Sequence, residues 1–235
     1  MSGTLYLIPV PLGPGAPQDV LPPHTLSTLQ PLRHFVVENA KSARAFLKIA
    51  GTTLPLQELQ LNELNEHSRP ADIAPLLAPL LAGEDVGLLS EAGCPAVADP
   101  GAALVALAQQ QNIRVVPLIG PSSLLLALMG SGLDGQRFAF HGYLPAKDAE
   151  RSKVLRDLEK ESQQKRQTQL CIETPYRNAA LFDALLRHCQ PGTRLCVATD
   201  LSLPSERIRT QTIAAWKKQT PPDLERRPTV FLFLA

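Results

Sequence analysis

Short apolar segments alternate with amphipathic segments over the first half of the chain. Four apolar segments predict buried strands, at residues 4–10, 34–37, 85–90 and 113–118. Between them Leu, Ile and Ala recur at helical spacing, which predicts helices over residues 19–30, 41–50, 70–82 and 99–111. Residues 54–61 are a weaker candidate for a further strand. Strands that alternate with helices in this way predict parallel βαβ units.

The pattern starts afresh after residue 120. A helix of small and apolar residues is predicted over 121–132, and a highly charged helix over 148–165. The remaining segments predict strands at 137–145, 167–173, 193–199, 206–213 and 229–235, with a helix at 175–189. We therefore predict two α/β domains, residues 1–118 and 119–235, which pack on each other without a long linker.

Composition narrows the class of protein. The 235 residues are 44% hydrophobic and carry a net charge of +1, so the molecule as a whole has no electrostatic attraction to nucleic acid or membrane. No apolar segment approaches the ~20 residues that span a bilayer. The four cysteines form no CxxC pair, so we expect no metal centre, and buried thiols in a reducing cytoplasmic interior. No signal peptide is expected, because TLYLIPV is too short.

Ligands of parallel α/β sheets bind at the carboxyl ends of the strands, so the loops that follow the strands carry the candidate chemistry. The first loop has Gly13 and Gly15, but Gln18 stands where a dinucleotide fingerprint needs its third glycine. This loop favours close approach of backbone to a ligand over nicotinamide binding.

The loop after the predicted strand 85–90 is rich in residues that control the backbone. In the stretch LLSEAGCPAVADPG, Asp99 is predicted to cap a helix that starts at Pro100. Residues 90–97 then present main-chain amides and carbonyls, a surface that suits a flat heteroaromatic ring with an attached amino acid. After the next strand, Ser122 and Ser123 open a helix and can form a second wall of the same cleft.

Six segments occur here in the order typical of one known family: TLYLIPVPLG, LLSEAGCPAVADPGAALV, IRVVPLIGPSSLLLAL, RFAFHGYLPAK, IETPYRN and ATDLS. Over nearly its whole length the chain resembles the tetrapyrrole (corrin/porphyrin) methylase superfamily, in the branch that methylates a cytidine ribose oxygen of small-subunit ribosomal RNA. The resemblance implies two α/β domains of the tetrapyrrole methylase type, a homodimer, and S-adenosylmethionine in the cleft between the domains. The residues that it assigns to the cofactor are Pro11, Ser90, Glu91, Ala92, Gly93, Cys94, Val97, Ser122, Ser123, Glu173, Ala198 and Thr229.

The acceptor-side motifs depart from those of the rRNA enzymes. Where those enzymes carry Glu-Asp-Thr-Arg, this chain has Glu38, Asn39, Ala40 and Lys41. The family's Asp is therefore replaced by Asn39, and its Arg, which can bind bidentately, by Lys41. A His-Asp-His-Asn-Glu motif is replaced by residues 62–66, Asn-Glu-Leu-Asn-Glu, and Glu91 and Cys94 stand where the family usually has Asp and Thr. The candidates for catalysis are Glu38, Lys41, Glu66 and His67.

Three functions remain open at this point. Methyl transfer from a sulfonium needs alignment and, for a hydroxyl acceptor, removal of a proton, but no metal and no covalent intermediate. The chain is expected to be an rRNA ribose 2′-O-methyltransferase or a paralogue with a changed acceptor. The alternatives are a tetrapyrrole C-methyltransferase and a non-catalytic adenosylmethionine-binding protein.

Direct support for an RNA partner is thin in the sequence. The basic residues of segment 147–166 interleave with acidic ones, which favours a salt-bridged solvent face over a phosphate-binding track. The lone Trp216, beside Lys217 and Lys218, is interpreted as a packed anchor and not as a platform for base stacking.

Overall fold

The computed structural model describes residues 2–235, which form two compact units. The first unit ends at Ser122 and the second is Ser123–Ala235, so the boundary lies after Ser122 and not after residue 118.

The first unit is built on a fully parallel five-stranded sheet. Its strands are β1 (Thr4–Ile8), β2 (His34–Val37), β3 (Gln60–Glu63), β4 (Val86–Leu89) and β5 (Arg114–Pro117), in the order β3-β2-β4-β1-β5. Its helices are α1 (Pro23–Leu29), α2 (Ala40–Ala50), α3 (Pro70–Ile73), α4 (Ala78–Leu81) and α5 (Gly101–Gln110), with 3-10 turns at Pro17–Asp19 and Ala74–Leu77.

Both faces of this sheet are buried, as expected for a parallel sheet. Side chains alternate between the faces with a period of two, so Ile8 and Phe35 enter the core beside α1 and α2. Leu5 and Val36 enter a second core, which includes residues of α4 and α5. Because the strands are parallel, the loops that follow β1, β2 and β4 emerge at one edge of the sheet.

The second unit is built on a mixed five-stranded sheet. Its strands are β6 (Phe138–Tyr143), β7 (Thr168–Ile172), β8 (Arg194–Thr199), β9 (Arg207–Thr212) and β10 (Thr229–Leu234), in the order β6-β7-β10-β8-β9. Only β6 and β7 are parallel, because β10 runs antiparallel to both of its neighbours and β9 to β8. Its helices are α6 (Ser123–Ser131), α7 (Asp148–Lys165), α8 (Asn178–His188) and α9 (Ile213–Trp216).

The core of the second unit contains the only tryptophan of the chain. Trp216 is 3% exposed, donates its ring N–H to the Leu195 carbonyl at 2.9 Å and meets the Phe182 ring edge-on at 5.4 Å. The interpretation of this residue as a packed anchor is therefore confirmed.

Prolines account for most differences between the predicted and observed elements. The predicted helix 70–82 is three short helical turns, because Pro75 and Pro79 each lack the N–H that a continuous helix needs. The predicted helix 19–30 begins only at Pro23. The candidate strand 54–61 is wrong over most of its length, since the structure has a strand only at Gln60–Glu63.

The charged helix and the cysteines follow the predictions. Lys147, which precedes α7, and Arg151 and Lys165 of α7 pair with acids of that helix at 3.5, 2.9 and 2.5 Å, which confirms the salt bridges. Arg151 is buried, so its pair does not lie on the predicted solvent face. All four cysteines are free thiols, and three of them are buried. Within residues 2–235, no helix combines the length and the apolar character needed to cross a membrane.

Candidate active site

Main-chain bridges join the loops that follow β1 and β4. Val10 and Gly93 exchange two backbone hydrogen bonds, of 2.9 and 3.1 Å, and the Ser90 hydroxyl donates to the Gly93 carbonyl at 3.1 Å. The Cys94 thiol donates to the Pro121 carbonyl at 3.5 Å, so the segment after β5 joins the same group. The structure therefore brings together the predicted cofactor loops 90–97, 10–15 and 118–122.

The backbone of the β4–α5 loop is strained. Gly93, Ala96 and Ala98 have φ of 73°, 64° and 54°, in the left-handed region that costs about 1–2 kcal/mol for a residue with a Cβ. Asp99 offsets part of this cost, because its Oδ1 accepts hydrogen bonds from the Ala96 and Gly101 amides at 3.2 and 2.6 Å. The helix begins at Gly101, one residue later than predicted. Asp99 thus caps its first turn and also closes the loop.

Glu38 follows β2 and is brought against the β4–α5 loop. Its half-buried carboxyl lies near the acidic side chains of Asp99 and Glu91. Burial, followed by the negative charges of Asp99 and Glu91, raises the pKa of Glu38 to about 8. A carboxyl in these surroundings holds a proton at neutral pH and releases it just above.

The residues around Glu38 explain the altered motifs. Asn39 caps α2, since its Oδ1 accepts from the Lys41 and Ser42 amides at 2.8 and 3.2 Å. An Asp can make the same cap, so the Asp-to-Asn difference leaves this local structure intact. Glu63 accepts from the Ala40 amide at 2.9 Å. The substituted positions 39 and 63 therefore serve the α2 terminus.

The other three acceptor-side candidates lie on the surface. Lys41 is exposed on the first turn of α2. Glu66 and His67 follow β3, are 87% and 86% exposed, and contact each other at 3.7 Å. The structure brings Glu38 against Asp99 and Glu91, whereas Glu66 and His67 face solvent.

A cavity of ≈ 340 Å³ opens beside the first loop. It is lined by residues 10–15, by Ala45, Phe46 and Ile49 of α2, and by Glu91. Glu91 is its only charged lining residue, and the Glu91 Oε1 is held by the Ser42 hydroxyl at 3.0 Å. The cavity thus offers an apolar wall with one fixed carboxylate.

The second unit has its own cluster of buried polar groups, at the ends of β7 and β8 and the start of β10. Glu173 has a fully buried side chain, and its Oε1 accepts from Arg177 Nη2 at 2.7 Å. The Asn178 side-chain amide donates to the Arg227 carbonyl at 2.7 Å and to Thr229 Oγ1 at 3.2 Å. Asn178 thus links the start of β10 to the segment that follows β7.

Two hydrogen-bond acceptors of this cluster have no donor among the described residues. Glu173 Oε2 and Asn178 Oδ1 are buried, and no described residue donates to either. A buried acceptor without a donor costs about 1–3 kcal/mol, so such groups point to a ligand that supplies N–H or O–H. Ala198 is fully buried within β8 and offers only its backbone.

Sequence reasoning missed Asp99 as more than a helix cap, and it missed Ser42, Asn178 and Arg177 altogether. Asp99 closes a loop in which Ala96 and Ala98 adopt positive φ. The sequence does not show that an alanine has a positive φ, so no local signal marked this role of Asp99. Among residues 2–235, no group of three or more His, Cys, Asp or Glu side chains is arranged to hold a metal ion.

Comparisons with known proteins agree with this architecture. The sequence profile of the Tetrapyrrole (Corrin/Porphyrin) Methylases matches residues 5–216. A relative from Synechocystis sp., named Ribosomal RNA small subunit methyltransferase I, is 32% identical over 93% of this chain and 76% of its own. A relative of the same name from Pseudomonas aeruginosa is 33% identical over 91% of this chain and 71% of its own.

Among solved structures, the methyltransferase CobJ matches with a TM-score of 0.65 and 17% identity, over 100% of this chain and 94% of that chain. At that identity the likeness concerns the fold alone.

Proposed function

The chain belongs to the tetrapyrrole (corrin/porphyrin) methylase family and is an S-adenosylmethionine-dependent methyltransferase, and we propose that its acceptor is a ribose 2′-hydroxyl of small-subunit ribosomal RNA. The observation that carries this proposal is the similarity, across more than nine-tenths of the chain, to two relatives named for that rRNA. The methyltransferase CobJ, at 17% identity, shares the fold alone and carries no argument for a different acceptor.

The described residues fit the cofactor. S-Adenosylmethionine carries N–H and O–H donors on its adenine, ribose and amino-acid portions, and the unpartnered acceptors Glu173 Oε2 and Asn178 Oδ1 suit such donors. We assign the remaining cofactor contacts to loops 10–15 and 90–97 and to Ser122, Ser123, Ala198 and Thr229, mainly through backbone atoms.

We assign removal of the acceptor proton to Glu38. The cofactor supplies a methyl group already activated on a sulfonium, so the protein has to align the acceptor oxygen and accept its proton. A base works best when its pKa lies near the working pH, and the surroundings of Glu38 place its pKa at about 8. A carboxylate with a pKa of about 8 is suited to a hydroxyl acceptor.

The surface around Glu38 supports a polynucleotide acceptor. The α2 wall of the cavity, formed by Ala45, Phe46 and Ile49, gives the base of an acceptor nucleotide an apolar surface to pack on. Lys41 is assigned to a neighbouring phosphate, and the exposed pair Glu66 and His67 to the rim of the acceptor surface.

The acceptor is tested by transfer of a labelled methyl group to 30S subunits and to naked 16S rRNA from cells that lack the enzyme. The expected result is one 2′-O-methylnucleoside, located by nuclease digestion and mass spectrometry. A parallel reaction with a porphyrinogen distinguishes the alternative. Label in the porphyrinogen and none in RNA contradicts the proposal.

We further propose that the protein acts as a cytoplasmic homodimer. In the second unit, the edge strand β6 exposes Phe138 and Tyr143 (42% and 56%), and α6 exposes Met129 (79%), which a second copy can cover. Sedimentation equilibrium of the purified protein is expected to give twice the chain mass. A monomer at micromolar concentration contradicts this part of the proposal.

A further inference from the structure

Helix α2 presents three faces with different side chains. Successive residues of an α-helix are turned by about 100°, so residues three, four and seven apart share a face. The buried face, in the core of the first unit, consists of Ala43, Leu47 and Ala50. The second face is the apolar wall of the cavity beside loop 10–15, formed by Ala45, Phe46 and Ile49.

The third face, which we call the α2 cation stripe, consists of Lys41, Arg44 and Lys48. At helical spacing these residues lie within an arc of about 60° and extend over about 10 Å of the helix. All of them are exposed, and Ala40–Ala50 contains no acidic residue. No salt bridge within residues 2–235 includes Lys41, Arg44 or Lys48. The positive charge of the stripe therefore faces solvent without an acidic partner among the described residues.

The cations of α7 have different surroundings. On that helix Asp157, Glu159 and Glu161 alternate with Arg156 and Lys160, so opposite charges lie close together along the chain. On α2 the neighbours of each cation within the stripe are cations, and like charges three or four residues apart destabilise a helix. The stripe thus has a cost for the folded helix, which a bound polyanion removes.

The cavity on the same helix indicates the kind of polyanion. A nucleic-acid strand combines regularly spaced phosphates with flat base faces that pack on aromatic and apolar side chains. The stripe suits the phosphates, and the wall that contains Phe46 suits a base. An acidic peptide would instead bring carboxylates toward Glu91, whose own carboxylate is held at this cavity by the Ser42 hydroxyl at 3.0 Å. Repulsion between like charges therefore disfavours a peptide.

We propose that the α2 cation stripe binds the phosphates of the acceptor RNA strand, with one base of that strand packed on the cavity wall. This inference rests on the proposed ribosomal RNA acceptor, and it adds Arg44 and Lys48 to the acceptor surface. The stripe begins three residues after Glu38, so a strand that follows it leads to the carboxyl assigned as the base.

The test is binding of a fluorescently labelled single-stranded RNA of about 12 nucleotides, followed by anisotropy over a range of salt concentrations. Each phosphate contact with a single strand contributes about 0.7 to the slope of log K against log salt concentration. The double variant Arg44→Gln with Lys48→Gln is therefore expected to lower this slope by about 1.4. At roughly 0.1 M salt that change corresponds to binding about 25-fold weaker. Gln has a helix propensity close to that of Lys and Arg, so α2 is expected to keep its structure.

The matched control is Arg156→Gln with Lys160→Gln on α7. These two residues have the same types, the same separation of four positions and the same exposure as Arg44 and Lys48, but acids lie between them. The control removes the same charge and is expected to leave the slope and the affinity of the unmodified protein. Arg44→Lys is a second control, which keeps the charge of the stripe and should keep most of the affinity.

Equal RNA affinities of the α2 double variant and the α7 control overturn the proposal. So does an absence of salt-dependent RNA binding by the unmodified protein. A competition experiment covers the alternative occupant, because unlabelled RNA is expected to displace the probe at a much lower concentration than polyglutamate of the same length. Equal displacement by polyglutamate contradicts a nucleotide strand and favours an acidic protein.

The binding measurement needs neither cofactor nor methyl transfer, so it separates this inference from the proposed function. Methylated 30S subunits together with an unchanged RNA affinity of the α2 double variant contradict the stripe and leave the ribosomal acceptor in place. A weakened affinity of that variant, in a protein that methylates a porphyrinogen and no RNA, leaves the RNA-binding surface in place and contradicts only the proposed acceptor.

Discussion

Glu38 and Glu173 are both acids at strand ends, and their surroundings give them opposite properties. Burial, together with the two neighbouring acids Asp99 and Glu91, raises the pKa of Glu38 to about 8. Glu173 is fully buried but bonded to the Arg177 guanidinium and the Thr174 amide, at 2.7 Å each. The first is suited to exchange a proton, and the second to accept a fixed hydrogen bond.

Glu38→Gln is expected to reduce the dependence of stability on pH. The folded pKa of Glu38 lies above its ordinary value of 4.5, so folding favours the protonated form, and stability from this group is lost as pH rises from that value through about 8. A Gln mimics the protonated form, because it carries no charge at any pH. Melting temperatures measured between about pH 5 and pH 9 should therefore fall less in the variant than in the unmodified protein.

The same variant is expected to lose methyl transfer by about 10²–10⁴-fold, because a Gln cannot accept a proton. In the unmodified protein kcat/KM should rise with pH through about 8. Calorimetry with S-adenosylmethionine serves as the control and should give similar binding in both proteins. Full activity of the variant would show that Glu38 is not the base.

Glu173→Gln is expected to weaken binding of S-adenosylmethionine by about 2 kcal/mol, roughly thirtyfold. The Gln side chain has an amide nitrogen, which is a donor, where Glu173 has a second carboxylate oxygen. In one orientation of the amide this donor faces Arg177, and in the other it faces the ligand. Calorimetry measures the effect, and Glu161→Gln on α7, a partly exposed acid paired with Lys165, is the control. Equal affinity in the two variants would remove Glu173 from the cofactor site.

At the scale of elements, the strands fix where the loops lie, and the loops carry the candidate site residues. The parallel strands β1, β2 and β4 are adjacent around the centre of their sheet, so Pro11, Glu38 and Ser90 emerge at the same edge. The β4–α5 loop combines positive φ angles with hydrogen bonds to its neighbours, so strain is stored at the proposed cofactor site.

Gly93→Ala tests the role of this loop. The φ of 73° is unfavourable for a residue with a Cβ, which would also lie 3.1 Å from Leu12 Cδ2. We expect a loss of about 1–2 kcal/mol in the free energy of unfolding, measured with urea, together with weaker cofactor binding. Gly192→Ala is the control, since a Cβ there meets nothing within 4 Å. Equal effects of the two substitutions would contradict the assigned strain.

At the scale of the whole molecule, two units of different construction are joined in one chain. The first is a parallel sheet with two buried faces, and the second is a mixed sheet whose core contains Trp216. Tryptophan fluorescence therefore reports on the second unit, whereas far-ultraviolet circular dichroism reports on both.

Ligand linkage gives a prediction for the whole molecule. S-Adenosylmethionine at a hundred times its Kd is expected to add about 2.7 kcal/mol to the free energy of unfolding. Urea titrations followed by Trp216 fluorescence and by circular dichroism should show the change. An unrelated nucleoside is the control, and an unchanged midpoint with S-adenosylmethionine would contradict cofactor binding by the folded protein.

The sequence by itself determined the element types and the family. Periodicity of two or 3.6 is a local property, so β2, α2 and α7 were predicted nearly to the residue. The prediction from periodicity was less accurate at two segments. Prolines divide the predicted helix 70–82 into short turns, and in place of the predicted strand 54–61 the structure has a strand at Gln60–Glu63. The six ordered segments identified the family, because their order and spacing are also properties of the chain itself.

Only the tertiary structure distinguishes the candidate site residues from one another. Four candidates for catalysis follow from the sequence, Glu38, Lys41, Glu66 and His67. No local feature of the sequence distinguishes one of them from the others. Burial and the approach of Asp99 and Glu91 distinguish Glu38, while Glu66 and His67 remain in solvent. A pKa depends on charges and desolvation in space, and residues distant in the chain become neighbours only when the parallel strands place their ends together.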